Sequence, residues 1–237
     1  MSFIYLIRHG QAGTRDNYDT LSEVGEAQAR LLGEYFASQK IELAAVISGS
    51  LSRQRRTAEL ACGAMARAGV AVPDLCTDER WNEFSLLSVY RSIARRLMKD
   101  DQQFARDVVE MQEAIRRDPR TTAGATGRCD RAVISAWMEN RFPELDVEET
   151  WESFRARIHS CAETFNGHEP AVAVFTSATP IAVHAAAALG LTNEKLISIL
   201  GVIYNTSVTV LRAKNGETRL FTFNAVPHLN ADNRTLR

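Results

Sequence analysis

Phe3-Ile4-Tyr5-Leu6-Ile7 is an unbroken apolar run rich in β-favouring side chains. A run of that length predicts a central strand buried on both faces. Arg8-His9-Gly10 follows directly, so it falls at the strand's carboxyl end. After Ser22 the period changes: Ala27, Leu31, Leu32, Tyr35 and Phe36 recur at helical spacing. This predicts a helix over about 22–39 with Ser22 as its N-cap. Residues 43–47 read as a second buried strand and Ser48-Gly49-Ser50 as the turn after it. Residues 51–68 read as a second helix with Leu60, Ala61, Ala64 and Met65 inward. A short extended piece covers 73–77. Further on, 152–165 reads as a helix, 170–175 as a strand, 180–189 as a helix, and 207–211 with 219–223 as a hairpin. The alternation predicts an α/β fold: a three-layer sandwich with a mostly parallel central sheet and helices on both faces.

Residues 85–150 break that rhythm. They carry helical patterns over 89–98, 104–115 and 131–140. Between the last two, Thr121-Thr122-Ala123-Gly124-Ala125-Thr126-Gly127 reads as a mobile loop. The block is expected to be a helical insertion over the active-site edge. From Arg91 to Arg131 it holds ten Arg/Lys against seven Asp/Glu. That excess suits a solvated charged face, or a lid recognising an anionic substrate.

The net charge of -1 argues against a dedicated nucleic-acid or membrane-surface binder, so any basic site must be local. Cys62, Cys76, Cys129 and Cys161 are scattered without a CxxC pair, which predicts reduced thiols and a cytoplasmic protein. No Cys/His spacing suggests a zinc site, and no metal or cofactor is expected. The apolar stretches at 3–7 and 181–191 are too short to span a bilayer.

The chemistry-bearing residues cluster at strand ends. A neutral imidazole accepts a phosphoryl group well near pH 7, and a guanidinium grips phosphate oxygens through paired N–H donors. Arg8 and His9 offer that pair, and Gly10 would permit a tight turn and close approach to a ligand. Arg53 lies near the start of the second predicted helix, where free N–H groups favour an anion. It would be a second clamp, which requires its guanidinium to lie against the His9 ring. Arg55 and Arg56 read as solvent-facing.

These segments resemble the histidine phosphatase superfamily, the phosphoglycerate mutase-like branch-1 group. The resemblance is carried by Leu6-Ile7-Arg8-His9-Gly10-Gln11-Ala12, by Asp19-Thr20-Leu21-Ser22-Glu23-Val24-Gly25-Glu26-Ala27-Gln28-Ala29, and by the stretch from Ser48 to Ala58. Asn205-Thr206-Ser207-Val208-Thr209 and Asn224-Ala225-Val226-Pro227-His228-Leu229 also fit. The resemblance implies one domain over 1–237 with the insertion inside it, and hydrolysis of a phosphomonoester through a phosphohistidine on His9. It implies a carboxylate proton donor in Trp81-Asn82-Glu83-Phe84, hence Glu83, with Glu79 as runner-up. Gln11 and Asn17 are candidate phosphate contacts.

The chain departs from that pattern at one place. The family's second histidine, after the late strand, is replaced by Ser177 in Thr176-Ser177-Ala178-Thr179-Pro180. A serine hydroxyl can still donate one hydrogen bond. Thr179-Pro180 reads as N-cap then N1 of the next helix, whose amides, with Ala178, would assist at the phosphate. A weakened enzyme is expected, and Ser177→His should raise turnover of an aryl phosphate. His184 reads as a packed core histidine, His159 and His168 as surface residues, and His228 as structural. The alternatives are a mutase and a non-catalytic binder of phosphorylated ligands. The expected partner is a small phosphorylated substrate, and an edge strand or the insertion could support a homodimer.

Overall fold

The computed structural model describes the chain apart from Met1, Arg15, Asp16, Arg120, Thr122, Ala123, residues 166–170, Asn215, Gly216 and Arg237. His168 and the expected strand start at Pro170 therefore lie outside the described residues. In order, the elements are β1 (Ser2–Arg8), α1 (Glu23–Ser38), β2 (Ala45–Ser48), α2 (Ser52–Arg67) and β3 (Leu75–Thr77). Next come α3 (Leu86–Asp100), α4 (Gln102–Arg117), α5 (Ala125–Met138) and α6 (Trp151–Ser160). The chain ends with β4 (Ala171–Thr176), α7 (Ala178–Leu189), α8 (Asn193–Leu200), β5 (Val208–Lys214) and β6 (Glu217–Ala225).

Two compact units divide the chain: Met1–Glu83 with Arg157–Arg237, and Phe84–Ala156. The first contains a six-stranded sheet of order β3-β2-β4-β1-β5-β6. The strands from β3 to β1 are parallel, and β5 and β6 close the sheet antiparallel. The apolar runs take the centre: every residue of β4 is buried. β6 alternates between exposed and half-buried over 217–221, as an edge strand with one wetted face does.

On one face, Leu32 and Phe36 of α1 and Ala61 and Met65 of α2 pack on Ile7, Val46, Ala173 and Phe175. Residues of opposite parity, Leu6, Val172 and Val174, point to the other face and are fully buried. There α7 packs along β1, β5 and β6. Each such aliphatic side chain contributes at most about 1.5–3 kcal/mol on burial. Leu60, expected inward, is only half-buried.

Helix α1 starts where its cap predicts: Ser22 Oγ accepts from Gly25 N at 3.1 Å, and Glu23 and Glu26 in the first turn complement the dipole. Helix α7 does not start at Thr179-Pro180. Its N-cap is Ser177, and Ala178 is its first helical residue. Proline is tolerated anywhere in a first turn, because those N–H groups have no intrahelical partner.

The second unit is helical. Val89, Ile93 and Leu97, each four apart, line one face of α3, with Phe104 and Val108 of α4 and Cys129 and Val133 of α5 also buried. Phe84 stacks on Trp137 with centroids 4.5 Å apart, and Arg128 pairs with Asp107 at 2.8 Å. The expected loop over 121–127 is shorter than its composition suggested. Ala125, Thr126 and Gly127 belong to α5, and Thr126 is fully buried. Thr122 and Ala123 fall outside the described residues. Among the described residues no helix is long and apolar enough to cross a membrane.

Candidate active site

β1 and β4 run side by side in parallel, Arg8 level with Thr176. Ligand sites of open α/β sheets lie at such carboxyl ends. His9 leaves β1 with its N–H on the Thr176 carbonyl at 2.9 Å. Its ring is buried, and Nδ1 lies 2.7 Å from the Gly10 carbonyl. A carbonyl only accepts, so Nδ1 carries the proton and Nε2 keeps its lone pair. Arg53 Nε donates to that Nε2 at 3.2 Å. Burial, then the Arg53 charge, then the Arg8 charge hold the imidazole well below its ordinary 6.5. The result is a neutral ring with one directed lone pair.

Arg53 is itself held. Its Nη1 donates to Asp19 Oδ1 at 2.8 Å, and its guanidinium carbon lies 4.9 Å from the Tyr18 ring centroid. Asp19 Oδ2 also accepts from Ser52 N at 3.1 Å. Asn82 Oδ1 accepts from Ser50 N at 2.8 Å. The first amide of α2, and the amide two residues before it, thus already have oxygen partners. Arg8 is buried, with Nη1 on the carbonyls of Ile203 and, at 2.7 Å, Leu236.

Glu83 ends the segment that follows a 3-10 turn over Glu79–Trp81. That segment is clamped by Arg157 Nη1, which donates to the Arg80 carbonyl at 2.8 Å and the Asn82 carbonyl at 3.0 Å. Glu83 Oε2 then accepts from Thr179 N at 3.1 Å. The carboxylate therefore sits against the first turn of α7, next to Ser177 and Ala178. Ser177 is buried, and its Oγ accepts from Gln54 Nε2 at 2.9 Å.

Other expected residues have different roles here. Gly10 does approach another group closely, but it is the protein's own backbone: a Cβ there would lie 2.4 Å from the Gly25 carbonyl oxygen. Gln11 Oε1 accepts from Ser22 Oγ at 2.7 Å. Asn17 is exposed, with its carbonyl accepting from Thr20 Oγ1. Arg55 and Arg56 sit at the surface, paired with Glu59 and Glu26. His184 packs against Trp81 at 5.3 Å, and burial, then the nearby His159, push it down to about 3. His228 Nε2 lies 2.9 Å from Thr206 Oγ1, and burial lowers its value to about 4.

Several supporting residues were not singled out in the sequence. Asn205 Nδ2 donates to the His9 carbonyl at 3.1 Å, and Thr57 Oγ1 accepts from Gly10 N at 3.0 Å. Both lie in the segments that carried the family resemblance. Asp19 and Gln54 lie in such segments too and Tyr18 just before one, but none was marked as functional, because each acts through a partner distant in sequence. Among the described residues, no group of three or more His, Cys, Asp or Glu side chains could hold a metal ion.

The model of the histidine phosphatase superfamily, branch 1, matches residues 4–121 and 120–226. A search of curated protein sequences finds no match. Similar solved structures include Bacillus stearothermophilus YhfR, 20% identical, TM-score 0.62, covering 96% of this chain and 99% of that one. The alpha-ribazole phosphatase of Shigella flexneri is 15% identical, with TM-score 0.59 and coverages of 94% and 96%. The mycobacterial glucosyl-3-phosphoglycerate phosphatase is 23% identical, with TM-score 0.56 and coverages of 94% and 98%. At these identities the likeness establishes the fold alone.

Proposed function

The chain belongs to the histidine phosphatase superfamily, branch 1, and from that premise we propose that it hydrolyses a small phosphomonoester through a phosphohistidine on His9. The observation that carries the reading is the state of the imidazole. Nδ1–H is locked on the Gly10 carbonyl, and Nε2 meets the Arg53 guanidinium at 3.2 Å.

In the first step Nε2 attacks phosphorus. The bond to the ester oxygen breaks, and that oxygen leaves with the electron pair and takes a proton from the Glu83 carboxyl. Arg53 Nε passes from Nε2 to a phosphoryl oxygen as the lone pair is used. Its charge, that of Arg8, the Ser177 hydroxyl and the first amides of α7 at Ala178 stabilise the equatorial oxygens. In the second step Glu83 takes a proton from water, whose oxygen attacks phosphorus. The P–N bond breaks, its electron pair returns to Nε2, and inorganic phosphate departs. No step draws on a metal.

Rapid-quench mixing with a ³²P-labelled aryl phosphate should trap an acid-labile phosphoenzyme in the wild type that is absent from His9→Ala. Steady turnover with no trapped label would remove the mechanism. Ser177 favours a second reading, a regulatory protein that binds phosphorylated ligands without cleaving them. Thermal stabilisation by many phosphoesters without phosphate release would select it. The remaining alternative, a mutase, would move the phosphoryl group between two positions of a phosphoglycerate instead of releasing it to water. Comparing hydrolysis with isomerisation of a phosphoglycerate separates the two.

A further inference from the structure

Gln54 follows Arg53 in the first turn of α2, and it is fully buried. Its Nε2 donates to two oxygens, Ser177 Oγ at 2.9 Å and the Trp81 carbonyl at 3.3 Å. The Trp81 carbonyl can only accept, which fixes the amide with nitrogen toward it. Ser177 Oγ is therefore an acceptor in this pair, and its own proton remains available to another group. Ser177 directly follows Thr176, the residue whose carbonyl anchors the His9 backbone by accepting its N–H.

The other end of the amide is unusual. Gln54 Oε1 is buried with no hydrogen-bond partner among the described residues. It lies over Gly49, where a Cβ would stand 1.9 Å from it, so the glycine makes room for the amide. A buried carbonyl without a donor destabilises a fold. An apolar side chain of similar length would avoid that cost. The amide is thus kept where stability alone would not ask for it.

The same geometry bears on residue 177. An imidazole built along the Cβ–Oγ bond of Ser177 would place its Cγ where Oγ now lies, 2.9 Å from Gln54 Nε2, inside the contact distance of about 3.5 Å for non-bonded heavy atoms. Gln54 and a histidine at 177 compete for one volume.

We propose that Gln54 is a positioning residue of this site: its amide orients the Ser177 hydroxyl as a donor to the transferring phosphoryl group and takes the space that a second histidine would need. The proposal rests on the phosphohydrolase reading above, and it revises the expectation for residue 177. Ser177→His alone should lower or leave unchanged the turnover of p-nitrophenyl phosphate. Ser177→His combined with Gln54→Ala should exceed the Ser177→His single variant by tenfold or more.

The test is a double-mutant cycle with Gln54→Met and Ser177→Ala. Each single variant should lose about tenfold in kcat with KM within about twofold, the order expected for one hydrogen bond to a charged group. The double variant should lose no more than either single one. The melting temperature of Gln54→Met should equal or exceed that of the wild type. Additive losses, a loss of kcat that follows a loss of melting temperature, or Ser177→His raising turnover with Gln54 in place would each overturn the proposal. Orthovanadate affinity, read by calorimetry over the same four proteins, keeps the two readings apart. Coupled losses of affinity in a protein without turnover would uphold Gln54 and reject the hydrolase. Uncoupled losses in an active enzyme would do the reverse.

Discussion

Two neighbouring strand ends face the same site with different chemistry. β1 delivers an imidazole fixed by a backbone carbonyl on one nitrogen and a guanidinium on the other. β4, level with it in the sheet, delivers a hydroxyl and the first turn of a helix. Under the function proposed above, the difference follows from the tasks. Attack on phosphorus needs one atom with a directed lone pair, and no neighbour can replace it. Stabilising negative oxygens needs donors, and these can be divided among a hydroxyl, backbone amides and guanidinium groups. The β1 end should therefore be intolerant of change and the β4 end graded.

The largest effect should come at β1: His9→Ala should lower turnover by at least about 10⁴-fold, since removing a nucleophile removes the path itself. A correctly folded His9→Ala protein retaining more than a hundredth of wild-type kcat would break the contrast between the two ends. Glu83→Gln, at the β4 end, should cost about 10²–10³-fold on an alkyl phosphate and far less on p-nitrophenyl phosphate. That leaving group needs no proton, so equal losses on both substrates would remove Glu83 as the acid.

Asp19→Asn should cost about tenfold in kcat/KM, because it loosens Arg53 while leaving its charge in place. Steady-state kinetics at low and high salt sharpen this point. A loss of more than about 10²-fold would mean that Asp19 touches substrate itself.

The smallest effects concern pH. His9, His184 and His228 are all held below 6.5 in the folded protein. Between each folded value and 6.5 the unfolded chain binds more protons, so stability rises with pH across that window. Stability should be full above 6.5 and decline as pH falls toward about 4 for His228 and about 3 for His184. Urea midpoints from pH 7.5 to 4 would show it; a flat profile would mean that these rings protonate in place. For the same reason kcat/KM should show no acid limb at 6.5 from His9.

Much of this was legible from local pattern. β1 announced itself as an apolar run, α1 by its cap and helical period, and His9, the candidate nucleophile, drew notice by its place at a strand end. Ser22 was readable because a cap and its N–H partner are three residues apart. The start of α7 was misread because the decisive partner is not local: Thr179 N–H is taken by Glu83, 96 positions earlier. The loop at 121–127 was misread because Gly and Thr weaken a helix without forbidding it, and burial of Thr126 overrides their preference.

What the chain's order of residues determined by itself is the set of elements and the chemical groups at their ends, because period, caps and turn residues act over a few positions. What only the tertiary structure decided is which of those groups meet. Gln54 sits in the polar run Ser52-Arg53-Gln54-Arg55-Arg56 and looks like a wetted helix start, yet it is fully buried because that turn of α2 lies against Trp81 and Ser177. Asp19 meets Arg53, 34 positions away in sequence, only in the fold. Hydrogen bonds and charges act over a few ångströms in space, and the fold alone makes residues 44 or 123 positions apart into neighbours.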